Sequence, residues 1–214
     1  MEKLLLQSPQ AEVDSTYLYG IFRYLKSPKD KITYLLKKGD LIPIRRGLYI
    51  ISPEYGKFAS TQVLASMIYS PSYLSLQSSL RYFGIIPEAI KGEVSVTTLR
   101  TNRFETRIGE FEYHNSLLKD FLWGIRFAKI DASRQVRIAS PIKALYDLIR
   151  YSVSNYKQKK YDELAEYLDL MRLNLDDFNC TVNEYKSLKT ARRNYLSNFF
   201  IKWFKDNNIK CNYE

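Results

Sequence analysis

KSPKDKITYLLKKGDLIPIRRGLYII, running from Lys26 to Ile51, is the stretch that decides how the first part of this chain folds. Ser27 is a good N-cap, Pro28 suits the first helical position, and Asp30 puts negative charge in the first turn. Ile32, Leu35 and Leu36 recur at i, i+3, i+4, which is one face of a helix. Gly39 is a C-terminal stop. These signals predict a helix over Pro28–Lys38. Leu41–Ile51 then reads as two short strands around Arg45-Arg46-Gly47. Gly47 supplies the positive φ that a tight turn needs. Leu48 and Ile50 are expected to face the helices. A preceding helix is expected over Ser15–Leu25, and a short one near Met1–Gln7. Helix, turn, helix, hairpin is the order of a winged helix-turn-helix.

The charge in this stretch has a geometry. Between Lys26 and Arg46 seven cations face only Asp30 and Asp40, a window net of +5 in a chain of net +10. A basic balance favours polyanionic partners. With Ile32, Leu35 and Leu36 packed inward, Lys29, Thr33, Tyr34, Lys37 and Lys38 are left on the outer side. An outward helix of this kind fits the DNA major groove. Arg45 and Arg46 at the hairpin tip would suit the backbone or the minor groove. The expected partner is double-stranded DNA, held mainly through phosphates. The alternative is a solvated lysine-rich helix followed by an ordinary hairpin.

Ser52-Pro53-Glu54-Tyr55-Gly56 is a turn-rich joint. It divides the chain into residues 1–55, a winged-helix domain, and 56–214, a mixed α/β domain with helices at its C-terminal end. The expected class is therefore α/β, of the α+β kind. Helices are expected over Ser60–Tyr69 and Leu76–Phe83, with Gly84 closing the second. Val94, Val96 and Thr98 alternate with polar residues, as in a half-buried strand. Phe104–Arg107 and Phe111–Tyr113 flank a turn at Ile108-Gly109. Ile125–Ile130 and Gln135–Ile138 read as two more strands. Ser140-Pro141 opens a helix to Tyr151, and Tyr161–Leu173 reads as another. Thr181 and Glu184 form a capping box, from which one long helix is expected to reach Asp206.

No secretory signal or membrane-spanning stretch is read from the sequence, so a cytoplasmic protein with no membrane partner is expected. Cys180 and Cys211 are expected to be free thiols. His114 is expected to be a half-buried strand histidine. There is no phosphate-cradling glycine loop and no nucleophile elbow, and no catalytic, metal-binding or cofactor-binding residue is assigned. Glu93, Glu110 and Glu112 lie near strands, and a carboxylate metal nuclease would need such residues to converge. A second basic region comprises Arg100, Arg103, Arg107, Arg126, Lys129, Arg134 and Arg137, with Lys143 beside it. Converging, these would make a second cationic surface for nucleic acid, nucleotide or an acidic protein. Otherwise they are scattered solvated charges.

Several segments carry a family resemblance. Leu35-Leu36-Lys37-Lys38-Gly39-Asp40-Leu41-Ile42 leading into Arg45-Arg46-Gly47-Leu48-Tyr49 resembles the N-terminal winged helix of AbiEi-type antitoxins, from type IV (abortive infection) toxin–antitoxin systems. Tyr73–Leu80, Gly84–Glu88, Val94–Thr98, Arg103–Thr106, Tyr113-His114 and Ala139–Leu148 look like that family's later segments. The resemblance spans roughly Lys29 to Arg150. The first helix, with Tyr17, Tyr19 and Tyr24, departs from the pattern. The resemblance implies a DNA-binding antitoxin that represses its own operon. It also implies a cognate toxin resembling nucleotidyltransferases, countered without a stable complex. Two other readings stand beside it: a metal-dependent nuclease with a DNA-docking winged helix, and a ligand-responsive transcription regulator.

Overall fold

The computed structural model describes residues 3–87, 92–176, 178, 180–190 and 195–211. Its first elements are α1 (Lys3–Leu6), β1 (Glu12–Asp14), α2 (Ser15–Ile21), α3 (Pro28–Lys38), β2 (Leu41–Arg45) and β3 (Leu48–Ile51). The predicted bounds of α3 are met at both ends. Ser27 Oγ accepts from Asp30 N at 3.4 Å, and Gly39 closes the helix in the left-handed region. α2 is shorter than expected, because Phe22 turns into the core and ends it. The three strands form an antiparallel sheet in the order β1-β3-β2. At the β2–β3 turn Gly47 has φ +80°.

Both faces of this small sheet are buried. Val13, Leu41 and Ile51 pack with Leu5, Leu18, Phe22, Ile32 and Leu35 from the helices. Ile44, Leu48 and Ile50 pack the other way, against Val63, Leu64 and Ile68 from the next helix, α4 (Thr61–Ile68). Leu48 and Ile50 thus face the second body of the chain instead of the helices, contrary to the expectation. Alternation sets which residues share a face; when both faces are apolar it cannot say which face meets which neighbour.

The remaining elements are β4 (Ser72–Leu74), α5 (Leu76–Tyr82), β5 (Gly92–Thr97), β6 (Asn102–Thr106), β7 (Gly109–Asn115), α6 (Leu118–Phe121), β8 (Ile125–Lys129), β9 (Gln135–Ala139), α7 (Pro141–Ser152), α8 (Tyr161–Leu170), α9 (Val182–Thr190) and α10 (Tyr195–Asp206). The strands form a six-stranded mixed sheet, β6-β7-β5-β4-β9-β8. The expected turn at Ile108-Gly109 joins β6 and β7 as an antiparallel hairpin, and β5 lies parallel to β7. A Cβ on Gly92 would stand 1.9 Å from the Glu110 carbonyl oxygen, so this pairing leaves room for glycine alone at that position. One face of the sheet carries Tyr73, Val96 and Ala139 into a large core with α5, α7, α8, α9 and α10. The other carries Leu74, Phe111, Tyr113, Val136 and Ile138 into the core shared with α4 and the N-terminal sheet. The architecture is mixed α/β, of the α+β kind.

The capping box closes as expected: Glu184 N donates to Thr181 Oγ1 at 3.2 Å, and Thr181 N to Glu184 Oε2 at 3.0 Å. The long helix expected beyond it is described as α9 and α10, and residues 191–194 between them lie outside the described residues, as do Met1 and Glu2 of the short N-terminal helix. The free-thiol expectation is overturned: Cys180 and Cys211 are joined in a disulfide across a sequence separation of 31. Among the described residues, no helix is long and apolar enough to cross a membrane.

Candidate nucleic-acid interface

α3 lies on the side of the N-terminal sheet away from the second body. Its inner residues Ile32 and Leu35 are buried among α1, α2 and the sheet. Lys29, Thr33, Tyr34, Lys37 and Lys38 are all exposed, as the helical spacing predicts. The Thr33 hydroxyl donates to the Lys29 carbonyl at 3.0 Å, which leaves its oxygen free to accept. The Lys31 ammonium sits 4.6 Å from the centre of the Tyr34 ring. Lys38 also pairs with Asp40 at 3.2 Å, and this local partner shares its charge. Arg23, Tyr24 and Lys26 are exposed on the link from α2. The sequence gives no sign of Arg23 and Tyr24 as surface candidates, because the helical pattern runs on through them. The inward turn of Phe22 puts them instead at the corner before α3.

The hairpin arginines divide. Arg46 is exposed. The Arg45 guanidinium donates to the Ile68 carbonyl at the end of α4 and lies 5.0 Å over the Phe104 ring on β6. Arg45 therefore holds the hairpin against the second body. Both tip arginines are exposed, but Arg45 is also engaged with the second body, and Arg46 is not.

The second basic set does not converge. Arg100, Arg103 and Arg107 lie just before, on and just after β6, whereas Arg126, Lys129, Arg134 and Arg137 lie on the β8–β9 hairpin at the opposite edge. Five strand spacings separate the two edges, roughly 24 Å. Arg103, Arg126 and Arg134 are also paired with carboxylates. Arg103 is 2.6 Å from Glu110 and 3.5 Å from Glu112. Arg126 grips Glu184 with two hydrogen bonds of 2.6 Å. Arg134 bonds both carboxylate oxygens of Glu12, at 2.8 and 2.9 Å, and pairs with Asp131. Glu12 is buried on β1, so this contact ties the β8–β9 turn to the N-terminal sheet.

Lys143 is not a surface charge at all. Its side chain is fully buried, and Nζ donates to Asp147 Oδ1 and to the Asp120 carbonyl, each at 2.8 Å. The Tyr73 and Ser75 hydroxyls donate to Asp147 Oδ2 at 3.0 and 2.8 Å. Burial pulls the Lys143 ammonium below the usual lysine range, and Asp147 opposes that pull. The Tyr73 hydroxyl is pushed well up by burial and then by Asp147. Through these contacts the cluster rivets β4 and the start of α5 to α7.

The acidic residues considered for a metal site are separated. Glu93 is buried, 2.8 Å from Arg81 and 2.6 Å from the Thr61 hydroxyl. It lies opposite Phe111, on the other sheet face from Glu110 and Glu112, which pair with Arg103. Among the described residues no three His, Cys, Asp or Glu side chains are grouped to hold a metal ion. His114 is half-buried on β7, as expected, and stacks on Tyr151 with ring centres 4.9 Å apart. Burial lowers its pKa, with Glu112 and Asp147 pulling the other way. No protein-family model matches this chain, and no curated protein matches it significantly.

Proposed function

We propose that residues 1–55 form a winged helix that binds duplex DNA, with α3 as the helix in the major groove. The observation that carries this is the two-sided character of α3. Ile32 and Leu35 are buried, while Lys29, Thr33, Tyr34, Lys37 and Lys38 stand together on the outer side. The element order from α1 to β3 and the strand order β1-β3-β2 fit that reading. Arg46 is the wing contact, and Arg45 serves to fix the wing's angle.

The resemblance to AbiEi-type antitoxins supplies the larger role. In that reading the protein is a cytoplasmic antitoxin that represses its own operon. Residues 56–214 then counter a nucleotidyltransferase-like toxin. The test has two arms. Full-length protein is titrated against duplex DNA from upstream of its own gene, wild type beside Lys37→Ala/Lys38→Ala. Loss of affinity with a shallower salt dependence supports the DNA reading, and unchanged binding refutes it. Co-expression with the neighbouring gene product tests the antitoxin role: relief of growth arrest supports it, and a harmless neighbour refutes it.

A further inference from the structure

The β8–β9 hairpin carries a feature that duplex binding by α3 leaves unused. Phe127, in the middle of β8, is 74% exposed. Strand alternation puts Ile125, Phe127 and Lys129 on one face, and cross-strand pairing adds Arg137 directly opposite Phe127 and Gln135 opposite Lys129. Ala128 and Val136, alternating with these, point into the core shared with the N-terminal sheet. Phe127 therefore faces the other side of the six-stranded sheet, away from that module.

The charges around this ring are unequally committed. Arg126 and Arg134 are held by Glu184, Glu12 and Asp131. Among the described residues Lys129 and Arg137 take part in no ion pair, and these two flank Phe127. The nearby carboxylates are thus already taken, and what remains is one bare aromatic face between two available cations. A protein partner anchored on Phe127 would need apolar surface around the ring, where aromatic anchors sit at the centre of desolvated patches. Here the ring's neighbours are half-buried Ile125, whose side chain packs on the core, and then Lys129, Arg137 and Gln135, so its surround is mainly polar. A duplex offers phosphates but keeps its bases stacked inside. A single strand offers both an unstacked base for the ring and phosphates for the cations.

We infer that the face formed by Phe127, Lys129 and Arg137 binds single-stranded nucleic acid, a base stacking on Phe127 and the backbone running along the two cations. This inference stands apart from the duplex-binding reading, since it uses no residue of α3.

The test is fluorescence anisotropy of the full-length protein with labelled oligouridylate and oligothymidylate strands. Phe127→Ala should weaken binding roughly ten-fold and leave the salt dependence unchanged, because stacking releases no counterions. Lys129→Ala/Arg137→Ala should reduce the log–log salt slope by about 1.4, some 0.7 for each phosphate no longer neutralised. Lys37→Ala/Lys38→Ala should leave single-strand binding intact, so failure of the duplex reading is seen separately. Phe58→Ala, another exposed phenylalanine outside this face, serves as the control. Phe127→Leu keeps the apolar bulk and should bind as weakly as the alanine variant, which separates stacking from any loss of folding. The inference is overturned if the wild type binds neither strand, if Phe127→Ala binds as well as wild type, or if Phe58→Ala weakens binding equally. Displacement of the strand by polyglutamate at equal charge, indifferent to Phe127, would assign the face to an acidic protein instead.

Discussion

The cations of α3 and those of the six-stranded sheet look alike as composition and differ in what they touch. On α3, Lys29, Thr33, Tyr34, Lys37 and Lys38 are exposed, and an ion pair in this group joins Lys38 to Asp40. On the sheet, Arg103, Arg126 and Arg134 each meet at least one carboxylate, and Lys143 is inside the protein. Net positive charge is therefore a poor guide to an anion-binding surface. The guide is which cations remain after the nearby carboxylates have been matched.

The comparison is broken hardest at Lys143. Lys143→Met should leave Asp147 buried without its counter-charge and cost about 3–5 kcal/mol. A thermal or denaturant melt checks this, and a small loss would mean that the cluster is not a rivet. Next comes the disulfide. Reduction of Cys180–Cys211 frees a loop of about thirty residues, for which chain entropy gives roughly 3–4 kcal/mol. The melt should fall on adding a dithiol and should not respond in Cys180→Ser. On the α3 side, Lys29→Ala/Lys37→Ala, which spares the Lys38–Asp40 pair, should leave the melt nearly unchanged. The same variant should lower the duplex salt slope by about 0.9 for each phosphate it ceases to neutralise, and weaken binding at least roughly ten-fold. Arg103→Ala, across the molecule, should change neither duplex affinity nor the melt by a measurable amount, because exposed ion pairs contribute little.

The smallest effect is at His114. The unfolded imidazole takes its proton near 6.5, and burial lowers the folded value. In the window between those two values the unfolded state holds more protons, so stability is full above about pH 6.5 and declines as the pH falls through that window. A melt series across that range should show the decline in wild type and a flatter profile in His114→Gln.

What can be read from the sequence follows from the range of each signal. α3 is legible to its end residues, because Ser27, Pro28, Asp30 and Gly39 are local instructions. The β8–β9 pair and the Thr181–Glu184 cap are legible for the same reason. β4 is not. It has three residues, all buried, so it offers no alternation, yet it sits in the middle of the large sheet. The fate of Arg45 is hidden, since its partners Ile68 and Phe104 lie far along the chain. Lys143 carries a clue in Asp147, one helical turn on, but that spacing also describes an ordinary surface pair. The cysteine pair joins the segment before α9 to the segment after α10, which sequence separation alone does not reveal.

The double-faced N-terminal sheet has a consequence for engineering and for evolution. Ile44, Leu48 and Ile50 belong to a core whose other half comes from α4 and the large sheet. The first fifty-five residues are therefore not a cassette that can be cut out and grafted elsewhere. Expressed alone, they would present an apolar sheet face to water and stick to one another. A lengthened joint near residue 56 would have to keep that face docked, and so would any chimera that exchanged α3. Change at α3 can be independent only on its outer side, at Lys29, Thr33, Tyr34 and Lys37, because Lys38 is already tied to the buried Asp40.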